Sequence, residues 1–309
     1  MQINYIILAH KNPKQLKRLV DRLNFGEVKF YIHIDKAQNL FEFKRDFEDN
    51  RNVFFLEKRY SGIWGGLGTV KATVTAIKEI LLTADKESYL VLVSGQDYPI
   101  QSNFKINEFL TTNYPKNFIT SEILPSEKSE RIKKYRINLS NKRYNYILLN
   151  TIWNKGFFSR ENFKTIYYLI RNKDFKNLIK VLFPRISPKG INHHFGSQWW
   201  TISNQLAEKI LLFLKNNPNY LQFHENTLIA DEIFFQSIIA NIVNVDKNIE
   251  TYKSLTYVNW NRNDVELPVT FDHNDYSEIV EASKTKLFAR KFEIKKSLEI
   301  MEKIDKNLL

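Results

Sequence analysis

Two adjacent carboxylates, Asp231 and Glu232, followed by the apolar run Ile233-Phe234-Phe235, form the pattern in this 309-residue chain best suited to chemistry. Two readings are open. Carboxylates in the first turn of a helix complement its dipole and need no further role. Alternatively the helix start faces a cleft, and Glu232 takes the proton of an attacking hydroxyl as a general base. A second pattern lies near the carboxyl end, in Phe288-Ala289-Arg290-Lys291-Phe292. Arg290 and Lys291 read either as a solvated basic helix start or as fixed cations. Fixed cations would favour departure of a diphosphate, which gains negative charge as its bond to a sugar breaks.

Metal chemistry has little support. The chain holds no cysteine, which excludes disulfides and thiolate zinc sites. No two Asp are spaced i, i+2; Asp46-Phe47-Glu48 and Asp85-Lys86-Glu87 come nearest and lie in polar segments. His193-His194 has no third ligand at helical or loop spacing. His33 and Asp35 can contact a nucleotide or cap a turn. Trp64-Gly65-Gly66-Leu67-Gly68 is a glycine-rich helix entrance without the spacing of a phosphate-binding loop.

The elements that must carry these residues are legible in outline. Apolar runs at Ile3–Ala9, Val28–Ile34, Asn52–Leu56 and Tyr89–Val93 read as strands. Asn12-Pro13 opens a helix to about Leu23, and Gly66–Thr83 reads as a long helix. Strands alternating with helices make parallel β/α units, whose ligands sit beyond the strands' carboxyl ends. Three polar clusters fall there: His10-Lys11-Asn12, His33-Ile34-Asp35-Lys36 and Ser94-Gly95-Gln96-Asp97. Further on, Gln198–Ile202 reads as a strand, and Asn204–Lys215, Asp231–Asn241 and Lys291–Lys306 as helices. With no repeat and no Gly/Ser linker, one domain is expected, a nucleotide-binding half over 1–120 and an acceptor-binding, catalytic half over 121–309.

Together these segments resemble the core-2/I-branching N-acetylglucosaminyltransferase family, which also holds the peptide O-xylosyltransferases. The resemblance runs from Ile6 to Glu293. Its markers in order are Ile-Leu-Ala-His10, Tyr31-Ile-His-Ile-Asp35, Ile63-Trp-Gly-Gly66, Leu92-Val-Ser-Gly-Gln-Asp97, Gly196-Ser-Gln-Trp-Trp200, Asp231-Glu232 and Phe288-Ala-Arg-Lys-Phe292. It implies an α/β GT-A-type nucleotide-sugar-binding fold with a mostly parallel sheet flanked by helices. It also implies an inverting mechanism that needs no metal or other cofactor, with a UDP-sugar as donor and a glycan hydroxyl as acceptor.

Residue by residue, the resemblance places the base on Glu232 and the phosphate-binding lysine on Lys291. Nucleotide-side positions are His10, Asp35, Trp64, Gly65, Asp97 and Arg290; substrate-side positions are Glu122, Lys128, Arg131, Trp199, Asp231, Trp260 and Arg262. Trp260 takes the place of an acceptor-stacking Trp. Two departures stand out. The family's arginine some two dozen residues before the phosphate lysine has no counterpart in Val265–Thr270, leaving Arg290 or Arg262 to substitute. An acceptor-binding Glu would fall near Thr120, with Glu122 the nearest carboxylate. N-acetylglucosamine is the family's default donor sugar, and xylose is the alternative.

Net charge is +12. Nine Lys/Arg against two acids between Lys155 and Lys189, interleaved with aromatics, suggest peripheral contact with an anionic membrane that carries a lipid-linked glycan acceptor. The other reading is a solvated helix face. Without a signal-like amino terminus, a cytoplasmic protein is expected, peripheral to the inner face of the membrane. Two rival classes remain: a sugar-binding relative without catalysis, and a basic nucleic-acid binder. The latter lacks any known motif, so no nucleic-acid partner is expected.

Overall fold

Strand β1 (Gln2–Ala9) is buried along its length, as a strand covered on both faces must be. The computed structural model describes residues 1–309. β1 lies between β2 (Val28–Ile34), flanked by β3 (Val53–Phe55), and β4 (Ser88–Ser94). These four strands are parallel. Short strands follow in chain order: β5 (Asp97–Pro99), β6 (Asn117–Phe118), β7 (Glu122–Ile123), the hairpin β8 (Tyr135–Asn138) and β9 (Tyr146–Leu149), and β10 (His194–Phe195). The last are β11 (Thr201–Ser203), β12 (Thr251–Tyr252), β13 (Thr256–Val258) and β14 (Phe288–Arg290). The main sheet runs β12-β6-β11-β4-β1-β2-β3, with only β11 antiparallel to its neighbours.

Alternation along β1 divides the core between the two faces of the sheet. Ile3, Tyr5 and Ile7 pack with the helices Pro13–Leu23 and Ile294–Asn307. Ile6 and Leu8 pack on the opposite face with the helices Gly68–Leu81, Asn204–Asn216 and Phe234–Val245. This is the flanked, mostly parallel α/β sheet expected. Ile7 pairs with both Ile32 and Val93, so β1, β2 and β4 end in register and present His10, Asp35 and Ser94 at one edge.

Several boundaries differ from the sequence reading. Asp231 and Glu232 lie in a 3-10 turn (Ala230–Glu232), and the following α-helix begins only at Phe234. Their carboxylates therefore precede the helix rather than occupy its first turn. Lys291 does not start a helix either: it follows β14, and the last helix begins at Ile294. β14 joins β5 and β13 in a separate three-stranded sheet, which strands this short do not announce by alternation.

Candidate active site

Lys291 emerges from β14, whose partners explain its surroundings. Arg290 lies opposite Asp97 of the antiparallel β5 and donates to its Oδ1 at 2.9 Å. Asp97 is buried and also accepts from the Ser94 amide at 2.7 Å. Burial raises the Asp97 pKa and Arg290 opposes the rise, so the pair works as a fixed dipole beneath the site. The guanidinium rests 4.6 Å from the ring centre of Trp199, a residue 6% exposed. Trp199, placed on the substrate side from sequence, thus has a ring face against Arg290, which it positions.

The Lys291 ammonium is half-buried, and dehydration lowers its pKa. Its nearest carboxylate is Glu293, 3.7 Å away. Glu293 is shared, since Lys11 and Gln96 also donate to it and Asn12 lies 3.5 Å from its Oε2. Desolvation, then the charges of Lys11 and Arg290, lower the pKa of His10, while Asp35 and Glu293 raise it, which groups His10 with the same cluster. Three cations, Lys11, Arg290 and Lys291, thus face two carboxylates, Asp97 and Glu293. Glu293 and Lys11 escaped assignment from sequence because nothing in the spacing links residues 282 positions apart.

The catalytic candidates lie on the other side of the segment Gly196–Trp199. The Gly196 amide donates to the Glu232 carbonyl at 2.9 Å. A Cβ on Gly196 would stand 1.8 Å from the Thr120 carbonyl oxygen, so only glycine lets the two backbones approach. Trp199 is three residue steps beyond Gly196, a span of at most about 11 Å. The segment Gly196–Trp199 thereby links the cationic cluster to the Asp231-Glu232 turn.

Arg131 donates to Oε2 of Glu232 at 2.8 Å, and Oε1 makes no hydrogen bond with the protein. Phe195, unassigned from sequence, carries Lys128 at 3.5 Å and Arg131 at 5.1 Å from its ring centre. Its strand pairs with β7, where Phe195 faces Glu122. Glu122, Lys128, Arg131 and Glu232 are thus tied together through one aromatic ring and one short ladder.

Asp231 differs from its neighbour. Burial first, then the charge of Glu232, raise its pKa to about 7, and its Oδ1 is sealed from solvent without a partner. The turn holding both carboxylates is entered through Ile229, a β-branched residue at φ 55°, which costs about 1–3 kcal/mol. A 2.8 Å hydrogen bond from Ile229 to the Gly65 carbonyl holds that conformation. Gly65 itself has φ 69°, and an added Cβ would meet Ile229 at 3.3 Å. The Trp64-Gly65 segment thereby buttresses the catalytic turn. The Trp64 ring lies 4.4 Å from Tyr144, and the buried Arg136 donates to the Trp64 carbonyl.

Three residues spend their polar groups within the protein. Asp35 spends its carboxylate on the amides of Ala37 (2.8 Å) and Gly62 (2.6 Å), the capped-turn alternative. His33 is buried and accepts from the Tyr60 amide at 2.9 Å. Arg262 is held by Asp275 at 2.7 Å and Glu278 at 2.9 Å, so it does not complete the cationic cluster; Arg290 does. Trp260 is 54% exposed two residues beyond β13, and Val258 of β13 pairs with Arg290. Trp260 thus follows the strand paired with Arg290 and keeps more than half of its surface open to solvent.

A large cleft borders the Trp64-Gly65 segment. This cleft, about 1140 Å³, is lined by Lys71, Lys176, Lys180, Arg185 and Lys189 among others and reached by Gly66 of the glycine-rich stretch, but by none of the residues given a site role from sequence. It is basic, and its one carboxylate, Glu225, is paired with Lys71 at 3.2 Å.

Buried histidines give the fold a pH dependence. His33 and His193 are lowered to about 4 and His224 further, chiefly by burial. Groups that stay neutral in the fold yet protonate near pH 6.5 when unfolded stabilise fully above that pH, and the contribution is lost as pH falls toward 4. Asp231 and Asp97, raised in the fold, oppose this with fewer protons. The melting temperature should fall by about 5 °C or more between pH 7 and 5. His224→Phe, amid Tyr220, Phe223 and Phe234, should flatten the slope. A melting temperature that is constant or higher at pH 5 would contradict this.

The fold is that of an α/β domain with a mostly parallel central sheet flanked by helices. The family model for the Core-2/I-Branching enzyme matches residues 3–284, and the chain belongs to that family of glycosyltransferases. Curated relatives include xylosyltransferase 2 of Rattus norvegicus, 25% identical over 331 residues and covering 100% of this chain and 34% of the relative. Xylosyltransferase of Ciona intestinalis is 25% identical, covering 99% and 34%. The chain thus spans about a third of the length of these relatives. Among solved structures, the apo form of mouse xyloside xylosyltransferase 1 aligns over 94% of this chain and 97% of its own, with 10% identity and a TM-score of 0.37.

Proposed function

We propose that the chain is a metal-independent, inverting glycosyltransferase that moves a sugar from a UDP-sugar to a glycan hydroxyl. The observation that carries this reading is a half-buried cationic cluster joined through Gly196–Trp199 to a carboxylate with one free oxygen. In this mechanism the acceptor oxygen attacks the anomeric carbon of an α-linked donor, while Glu232 Oε1 takes its proton. The bond to UDP breaks on the opposite face, giving a β linkage, and Lys291 with Arg290 balances the charge on the departing diphosphate. Glu232, not Asp231, fits the base because the free Asp231 oxygen is sealed from solvent.

Trp260 supplies an exposed face for an acceptor ring. Similarity to proteins named xylosyltransferase puts UDP-xylose beside UDP-N-acetylglucosamine as donors to test. The test is UDP release over a donor panel, with EDTA present, against glycan acceptors. Turnover of one of these donors in EDTA is expected. Turnover that requires an added divalent metal, or none with any UDP-sugar, would overturn the reading.

A further inference from the structure

We infer that the helix Arg160–Arg171 and the turn before it form a docking surface for an anionic lipid bilayer. Of the 25 exposed large apolar side chains, 12 fall within the 35 residues from Ile152 to Ile186, a concentration far above chance for a ninth of the chain. The helix rests on the protein through Asn162, Thr165 and Leu169, spaced i, i+3, i+7. Its outward face carries a second helical stripe, spaced i, i+4, i+7, of Phe163, Tyr167 and Ile170, which are 49%, 65% and 50% exposed. A helix with a second apolar stripe in water has an unpaired face. Phe158, 80% exposed, stands at the same end of that stripe, with Phe157 in contact with both Phe158 and Phe163.

Cations settle which partner fits. Arg160, Lys164 and Arg171 are exposed along the edge of the apolar stripe. Between the Arg143–Glu266 pair and the Lys209–Asp246 pair, no Lys or Arg of the chain is ion-paired. The block from Lys155 to Lys189 carries nine cations and two acids, of which Asp174 is engaged in capping the next helix. Two copies meeting through this face would oppose like charges, whereas anionic headgroups complement the cationic edge while acyl chains take up the aromatic stripe. No helix is long and apolar enough to cross a membrane, so the surface lies on the bilayer rather than in it.

The surface is separate from Glu232 and Lys291, and its test does not depend on the donor chemistry. The full chain is sedimented with phosphatidylcholine vesicles, with and without about a third phosphatidylglycerol. Expected is salt-sensitive binding to the anionic vesicles only. It should weaken at least tenfold both in Arg160→Glu/Lys164→Glu/Arg171→Glu and in Phe158→Ser/Phe163→Ser/Ile170→Ser, with melting temperature and donor turnover unchanged. Equal binding to neutral vesicles, binding that survives both variants, or a dimer in solution that Phe163→Ser/Ile170→Ser dissociates without any vesicle binding would each overturn the proposal.

Discussion

Glu232→Gln should lower kcat by about two to four powers of ten, roughly 3–5 kcal/mol of barrier, while leaving donor binding nearly intact. The amide keeps an oxygen for the 2.8 Å bond from Arg131, so the side chain retains its place and loses only the capacity to accept a proton. Removal of general-base catalysis shows in kcat with little change in the donor's KM. UDP-induced thermal stabilisation is the control for folding and nucleotide binding. A variant with most of the wild-type turnover would remove Glu232 from the mechanism, and Asp231→Asn would then be the next variant to assay.

Lys291→Ala should lower kcat/KM by about two to three powers of ten and abolish most of the stabilisation conferred by UDP. The basis is selective: the ammonium is already partly dehydrated and shares its one nearby carboxylate with Lys11, so an arriving diphosphate meets an incompletely neutralised cation. Arg262→Ala, by contrast, breaks pairs to Asp275 and Glu278 outside the cluster and should act through stability. Equal losses of nucleotide affinity in both variants would contradict the assignment of Arg290 and Lys291 as the diphosphate site.

The long buried strands were legible in sequence because β1, β2 and β4 are continuous apolar runs ending in polar clusters, and the clusters at His10 and Asp97 did fall at the edge of the site. The carboxylate pair and the Arg290-Lys291 pair were legible as residue types. Their local structure was not, because a 3-10 turn and a three-residue strand are too short for periodicity to mark. Tertiary contacts decided the rest. Nothing in the neighbourhood of Arg262 in sequence shows that Asp275 and Glu278 claim it, or that Gly62 and Ala37 claim Asp35. Phe195 and Glu293, which organise the two halves of the site, become visible only once the chain brings distant segments together.

A crystal structure with UDP bound is the most direct test of how the nucleotide is held. The diphosphate oxygens should lie within charge-assisted hydrogen-bond distance, about 2.7–2.9 Å, of Lys291 Nζ, with the Glu232 carboxylate facing the terminal phosphate across open space. A nucleotide whose phosphates sit instead among Lys176, Lys180 and Lys189 in the large basic cleft, remote from Lys291 and Glu232, would contradict the account.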